Sequence, residues 1–106
     1  MVGITTHVLD TAKGKPAQGI AITLEVMRTK WEVIGRGTTD ADGRLRTLTE
    51  GVSLERAQYR LTFAVGDYNR GFFPEVVITF RVDDASQHYH VPLLLSPFGY
   101  STYRGS

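Results

Sequence analysis

Apolar side chains in this chain recur at every second residue, and that period constrains its fold more than any other feature. Between Ile20 and Val26 the even positions are Ile20, Ile22, Leu24 and Val26, while Ala21, Thr23 and Glu25 fall between them. Between Tyr59 and Val65 the odd positions Tyr59, Leu61, Phe63 and Val65 are apolar, and Arg60 and Thr62 alternate with them. Val76, Ile78, Phe80 and Val82 repeat the pattern against Thr79 and Arg81. Successive side chains of an extended strand point to opposite faces, so such alternation describes strands with one buried and one solvated face. A helical period of 3.6 is not apparent.

Turn-forming residues divide these runs. Ala12-Lys13-Gly14-Lys15-Pro16 separates a first strand near Ile4–Leu9 from the second. Arg28-Thr29-Lys30 leads to a strand near Trp31–Gly37, and Asp40-Ala41-Asp42-Gly43 to a short one at Arg44–Leu48. Glu50–Ala57, Gly66–Gly71 and Asp83–Ser86 are further connections, and Ser96-Pro97-Phe98-Gly99 bends the chain into a last strand around Tyr100–Arg104. About eight short strands at these spacings predict an all-β sandwich. Helix is expected only as a turn or two, near Leu54–Ala57 or Asp67–Arg70. A chain of 106 residues suits a single domain, residues 1–106, with one core.

Composition removes several classes of function. A net charge of +1 gives no electrostatic reason to expect nucleic acid or an anionic membrane as partner. The chain has no cysteine, which excludes disulfides, thiolate nucleophiles and Cys-ligated zinc. No apolar run approaches transmembrane length. Nothing after Met1 has the charged and apolar regions of a secretory leader. The expectation is a soluble cytoplasmic protein without a cofactor.

Few residues are equipped for chemistry at neutral pH. The three histidines are His7, in the first strand, and His88 and His90, which flank Tyr89. On a strand His88 and His90 share one face, and Tyr89, Val91 and Leu93 take the other, core-side face. Imidazole titrates near pH 6.5 and can accept or donate a proton near neutrality. Two histidines on a solvated sheet face would also give this pattern. Arg44 follows a tight Asp-Gly turn and offers a planar cationic fork, but Arg46 has the same parity, so parity does not choose between them. The closing Tyr103-Arg104-Gly105-Ser106 adds a phenol, a guanidinium and a hydroxyl directly after strand-like sequence. Chain ends commonly fray unless tied down; this one is expected to be held in a site. His7, His88 and His90 would also suit a three-histidine zinc site with an open position, though the metal-free arrangement is favoured. A Ser-His-Asp triad lacks the Gly-x-Ser-x-Gly elbow.

Taken together, Thr6-His7-Val8-Leu9-Asp10, the Thr39–Arg44 turn, Phe72-Phe73-Pro74-Glu75 and HYHVPLLLSPFGYSTYRGS resemble the 5-hydroxyisourate hydrolases, the transthyretin-related family of urate breakdown. The resemblance spans essentially the whole chain, and the YRGS ending is its most specific part. Transthyretin itself, a hormone carrier, shares the fold but lacks that ending and histidine set. The resemblance implies an eight-stranded transthyretin-like sandwich, a homotetramer built as a dimer of dimers, and active sites at the dimer–dimer interface. It implies hydrolysis of the small molecule 5-hydroxyisourate, with His7, Arg44, His90 and Ser106 as catalytic residues. His7, Arg44 and Tyr103 would bind substrate, and no metal would be needed. Which histidine is the general base is left open. The Gly66–Gly71 loop is shorter than the family's helical segment, so no full helix is expected there. The competing class is a non-enzymatic, transthyretin-like carrier of small aromatic ligands.

Overall fold

The computed structural model describes residues 3–106. Two sheets pack face to face. The first contains β1 (Gly3–Asp10), β2 (Lys15–Pro16), β5 (Arg44–Leu45), β8 (His88–Ser96) and β9 (Gly99–Thr102). The second runs in the order β4 (Trp31–Thr38), β3 (Ala21–Met27), β6 (Ala57–Ala64) and β7 (Val76–Val82), all antiparallel. The alternating positions meet between the sheets: Ile20, Ile22, Leu24, Val26, Leu61, Phe63 and Leu93 are all buried. Full burial of such a side chain contributes about 1.5–3 kcal/mol, so this alternation fixes which face of each strand turns inward.

The pairing that positions the site is β1 with β8. It is parallel and continuous over eight residues, from Gly3 opposite His88 to Asp10 opposite Leu95. Thr5 therefore lies opposite His90, and His7 opposite Pro92. The other edge of β1 is shared by two short partners: β5 sets Arg44 opposite His7, and β2 sets Lys15 and Pro16 opposite Asp10 and Leu9.

The all-β sandwich agrees with the sequence reading, while several boundaries differ. Lys15–Pro16 lies in the segment read as a turn, yet it pairs with the end of β1. The strand expected over Arg44–Leu48 stops at Leu45, because the chain leaves the edge of β1 for turns at Thr47–Val52 and sends Leu48 into the core. The last strand is Gly99–Thr102 rather than Tyr100–Arg104, and beyond it Gly105 forms an isolated bridge with His90. These boundaries give nine strands among the described residues, two of them only two residues long. The sequence reading also did not foresee a bulge in β4, where Leu24 pairs with Gly35 but Glu25 with Val33, leaving Ile34 as the extra residue. Between β6 and β7 lies α1 (Gly66–Asn69), a single turn, in keeping with the short Gly66–Gly71 loop. Its Tyr68 hydroxyl donates to Asp10 Oδ2 at 2.7 Å, fastening the turn to the end of β1. Among the described residues no helix is long and apolar enough to cross a membrane.

Candidate active site

The outer face of β1 and β8 carries polar side chains because the inner face has taken the apolar ones. Ile4, Val8, Tyr89, Val91 and Leu93 are buried in the core, which leaves Thr5, His7, His88 and His90 on the opposite face. Over this face lies a groove of about 540 Å³, lined on one side by those four residues. This volume is within the usual range for small-molecule sites.

Arg44 reaches the groove through the turn before it. Asp40 Oδ1 accepts hydrogen bonds from the backbone N–H groups of Asp42 (2.9 Å) and Arg44 (3.0 Å). Those N–H groups, that of Arg44 foremost, hold the Asp40 carboxyl below its ordinary range. Gly43 takes φ +75°, a conformation glycine adopts without the penalty of a Cβ. A Cβ there would also stand 2.4 Å from the carbonyl oxygen of Val8. Gly43 O in turn accepts from Val8 N at 2.7 Å, which locks the turn against β1. Arg44 then faces His7 across the β1–β5 ladder. Arg46, two residues on, lines the same groove, so the structure brings both arginines to the site.

The closing segment is tied in place. Gly105 N donates to His90 O at 2.7 Å, and Arg104 Nη2 donates to Gln87 Oε1 at 2.9 Å. The Arg104 guanidinium also lies over the Tyr89 ring, 4.5 Å from its centroid. Tyr103 and Ser106 consequently border the groove. The backbone of Gly105 lies against the His90 ring, and a Cβ on it would come within 2.6 Å of His90 Cδ2. The expectation that this segment is held, rather than frayed, agrees with these contacts.

All five residues singled out from the sequence, His7, Arg44, His90, Tyr103 and Ser106, line this one groove. Thr5 was missed. Its hydroxyl lies 2.8 Å from His90 Nδ1 and 2.9 Å from His88 Nε2. The available signal was parity, since Thr5 stands two residues before His7 and so shares its face of the strand. His88, weighed as a surface histidine, is joined to His90 through that hydroxyl. Burial depresses the basicity of His90, and the positive charges of Arg44, His7, His88 and Arg46 act in the same direction. Its imidazole is thus held neutral, as a proton acceptor, down to a lower pH than a free histidine. Among the described residues no group of three or more His, Cys, Asp or Glu has the arrangement of a metal site. The groove can thus accept a proton at an imidazole and offset a developing negative charge at a guanidinium.

Known proteins resemble this chain over nearly its whole length. The profile of the HIUase/Transthyretin family matches residues 4–105. A 5-hydroxyisourate hydrolase of Caulobacter vibrioides is 47% identical over 118 aligned positions, which cover 100% of both chains. The solved structure of the 5-hydroxyisourate hydrolase of Klebsiella pneumoniae superposes with a TM-score of 0.85 at 33% identity, covering 97% of this chain and 98% of that one. Transthyretin from Sparus aurata superposes with a TM-score of 0.90 at 29% identity, covering 99% of this chain and 97% of that one. The backbone is therefore as close to a transthyretin as to a hydrolase, and the groove's side chains must separate the two.

Proposed function

The chain belongs to the HIUase/transthyretin family, and from that membership we propose that it hydrolyses 5-hydroxyisourate. The product is 2-oxo-4-hydroxy-4-carboxy-5-ureidoimidazoline, a step of urate degradation. The observation that carries the reading is the convergence of His7, Arg44, His90, Tyr103 and Ser106 on one groove. The bond broken is the ring amide (lactam), and water is the nucleophile. His90, whose neutral form is favoured, takes a proton from that water. His7 holds the water in line with the carbonyl carbon. The Arg44 guanidinium offsets the charge that develops on the carbonyl oxygen and then holds the new carboxylate. Tyr103 and Ser106 donate hydrogen bonds to the polar ring edges. The reaction needs no metal. Residues 1–106 act as one hydrolase domain in a cytoplasmic homotetramer, a dimer of dimers.

The test follows the ultraviolet absorbance of freshly prepared 5-hydroxyisourate, which is expected to decay faster with protein than without. His7→Asn and His90→Asn are each expected to lower turnover by about 10²–10⁴-fold, the usual contribution of a positioned acid–base group. Turnover is expected to survive dialysis against a strong chelator. A decay rate unchanged by protein would favour a carrier of small aromatic ligands, the reading that the likeness to a transthyretin backbone supports. Loss on chelation restored by zinc would overturn the metal-free route.

A further inference from the structure

One hydroxyl group joins two imidazoles beneath the groove. Thr5 is 6% exposed, and its Oγ1 lies within hydrogen-bond distance of both His90 Nδ1 and His88 Nε2. A hydroxyl has one proton to donate and lone pairs with which to accept. With both rings neutral, Thr5 donates to one of these nitrogens and accepts an N–H from the other. When His90 Nδ1 carries its proton, His88 Nε2 is bare, and the proton of His88 is on Nδ1. In the opposite arrangement both rings carry the proton on Nε2. Thr5 therefore forces the two histidines into the same tautomer.

We propose that Thr5 and His88 are positioning residues that form a proton relay behind His90, with Nδ1–H of His90 donating to Thr5 and the Thr5 hydroxyl donating to His88 Nε2. This inference rests on His90 being the base of the hydrolysis described above. The direction follows from the charges in the groove. The titratable and charged groups that face His90 are His7 from β1, Arg44 and Arg46 from β5 and its continuation, His88 from its own strand, and Tyr103 from the closing segment. Among the described residues no Asp or Glu side chain lines the groove, so no side-chain carboxylate orients this imidazole or balances its cation. Thr5 fixes the ring through Nδ1 and turns the lone pair of Nε2 to the water.

The proton movements balance. As the water oxygen bonds to the lactam carbonyl carbon, a water proton bonds to His90 Nε2. The Nδ1 proton of His90 passes to Thr5 Oγ1, and the Thr5 hydroxyl proton passes to His88 Nε2. Positive charge then rests on His88, away from Arg44. When the C–N bond breaks, each of these protons returns along the relay, and His90 Nε2 delivers its proton to the departing nitrogen. The new carboxylic acid releases its remaining proton to solvent.

The experiment has a substrate-free arm and a kinetic arm, both on the full chain. Nitrogen-15 NMR of the imidazoles in the wild-type protein at neutral pH is expected to show both His88 and His90 as Nδ1–H tautomers, against the Nε2–H form that free histidine prefers. Either ring in the Nε2–H form overturns the proposal, whether or not the protein hydrolyses 5-hydroxyisourate. Tautomers as expected in a protein without hydrolase activity would instead fault the proposed reaction and leave the hydrogen-bonded chain intact, removing only its catalytic purpose. In the kinetic arm Thr5→Val is expected to lower kcat by about 10²-fold, the lower end of what an acid–base group contributes, with KM little changed. Thr5→Ser, which keeps the hydroxyl, restores both turnover and tautomers. The double variant Thr5→Val/His88→Gln is expected to lose no more than the larger single loss, because both break one chain. Undiminished kcat in Thr5→Val, or additive losses in the double variant, would overturn the relay even where Thr5→Ser folds poorly.

Discussion

His90 is the residue on which most of the site's physics converges. Its ring is held at Nδ1 by Thr5 and along Cδ2 by the backbone of Gly105. Two consequences follow. Burial and then the neighbouring cations push its pKa below the ordinary 6.5, so the base form persists to lower pH and the acid limb of kcat/KM should fall below pH 6.5. Replacing Arg46 by Gln removes one of the charges opposing the imidazolium. The pKa of His90 then rises, and the acid limb should move to higher pH; a pH–rate profile in low salt reads the shift. A limb that stays in place or moves down would remove Arg46 from the field around His90. Gly105→Ala tests the steric support. Its methyl carbon would stand 2.6 Å from His90 Cδ2, so either the ring turns or the closing segment lifts. Turnover should drop by about 10²-fold, the scale of loss for a misplacement of about 1 Å, while the thermal midpoint changes little because no core side chain is touched.

At the level of elements, the turn from Asp40 to Arg44 is a structural device for aiming one guanidinium. Gly43→Ala should strain a backbone at φ +75° and drive a methyl group toward Val8 O. A loss of about 1–3 kcal/mol in unfolding free energy is expected, with a larger fall in turnover than in fold content as Arg44 leaves its place opposite His7. Urea titration and the 5-hydroxyisourate assay on one preparation compare the two. This turn was readable from its Asp-Gly residues, as the long strands β3, β6 and β7 were from their alternation, since both signals are local. The short partners of β1 were legible only in part: a strand was expected from Arg44, though as far as Leu48, and Lys15–Pro16 was read as turn. Lys15–Pro16 becomes a strand because β1 has a free edge beside it, which no local pattern encodes. Thr5 escaped for a similar reason. A threonine in a strand is unremarkable by propensity, and its meaning comes from a register that sets it opposite His90, 85 residues away. His7, Arg44 and His90 could be named because the resemblance supplied their roles; alternation alone gave their faces and left Arg44 and Arg46 undivided.

Across the whole molecule, the groove is open on the side away from β1 and β8, and apolar surface lies uncovered elsewhere on the chain. Phe98 is 83% exposed and Phe72 is 72% exposed, with Phe73 packed edge-on against both Phe72 and Tyr100. The three phenylalanines come from two loops that touch, since Phe72 N donates to Pro97 O at 2.7 Å, and Tyr100 comes from β9. Large exposed apolar patches mark surfaces that another molecule covers, and in the proposed homotetramer copies of the same chain would supply that cover. Assembly would then bear on catalysis as well as on solubility, because a groove closed by a neighbouring copy excludes bulk water and strengthens the field of Arg44. Sedimentation at micromolar concentration should accordingly give four times the mass of one chain. Phe98→Asp places a charge in the covered patch and should shift the protein toward smaller species. It should also lower turnover most strongly on dilution, while far-ultraviolet circular dichroism keeps its β signature. A monomer that hydrolyses 5-hydroxyisourate at the full wild-type rate would show that the half-open groove suffices, and the role assigned to neighbouring copies would fall.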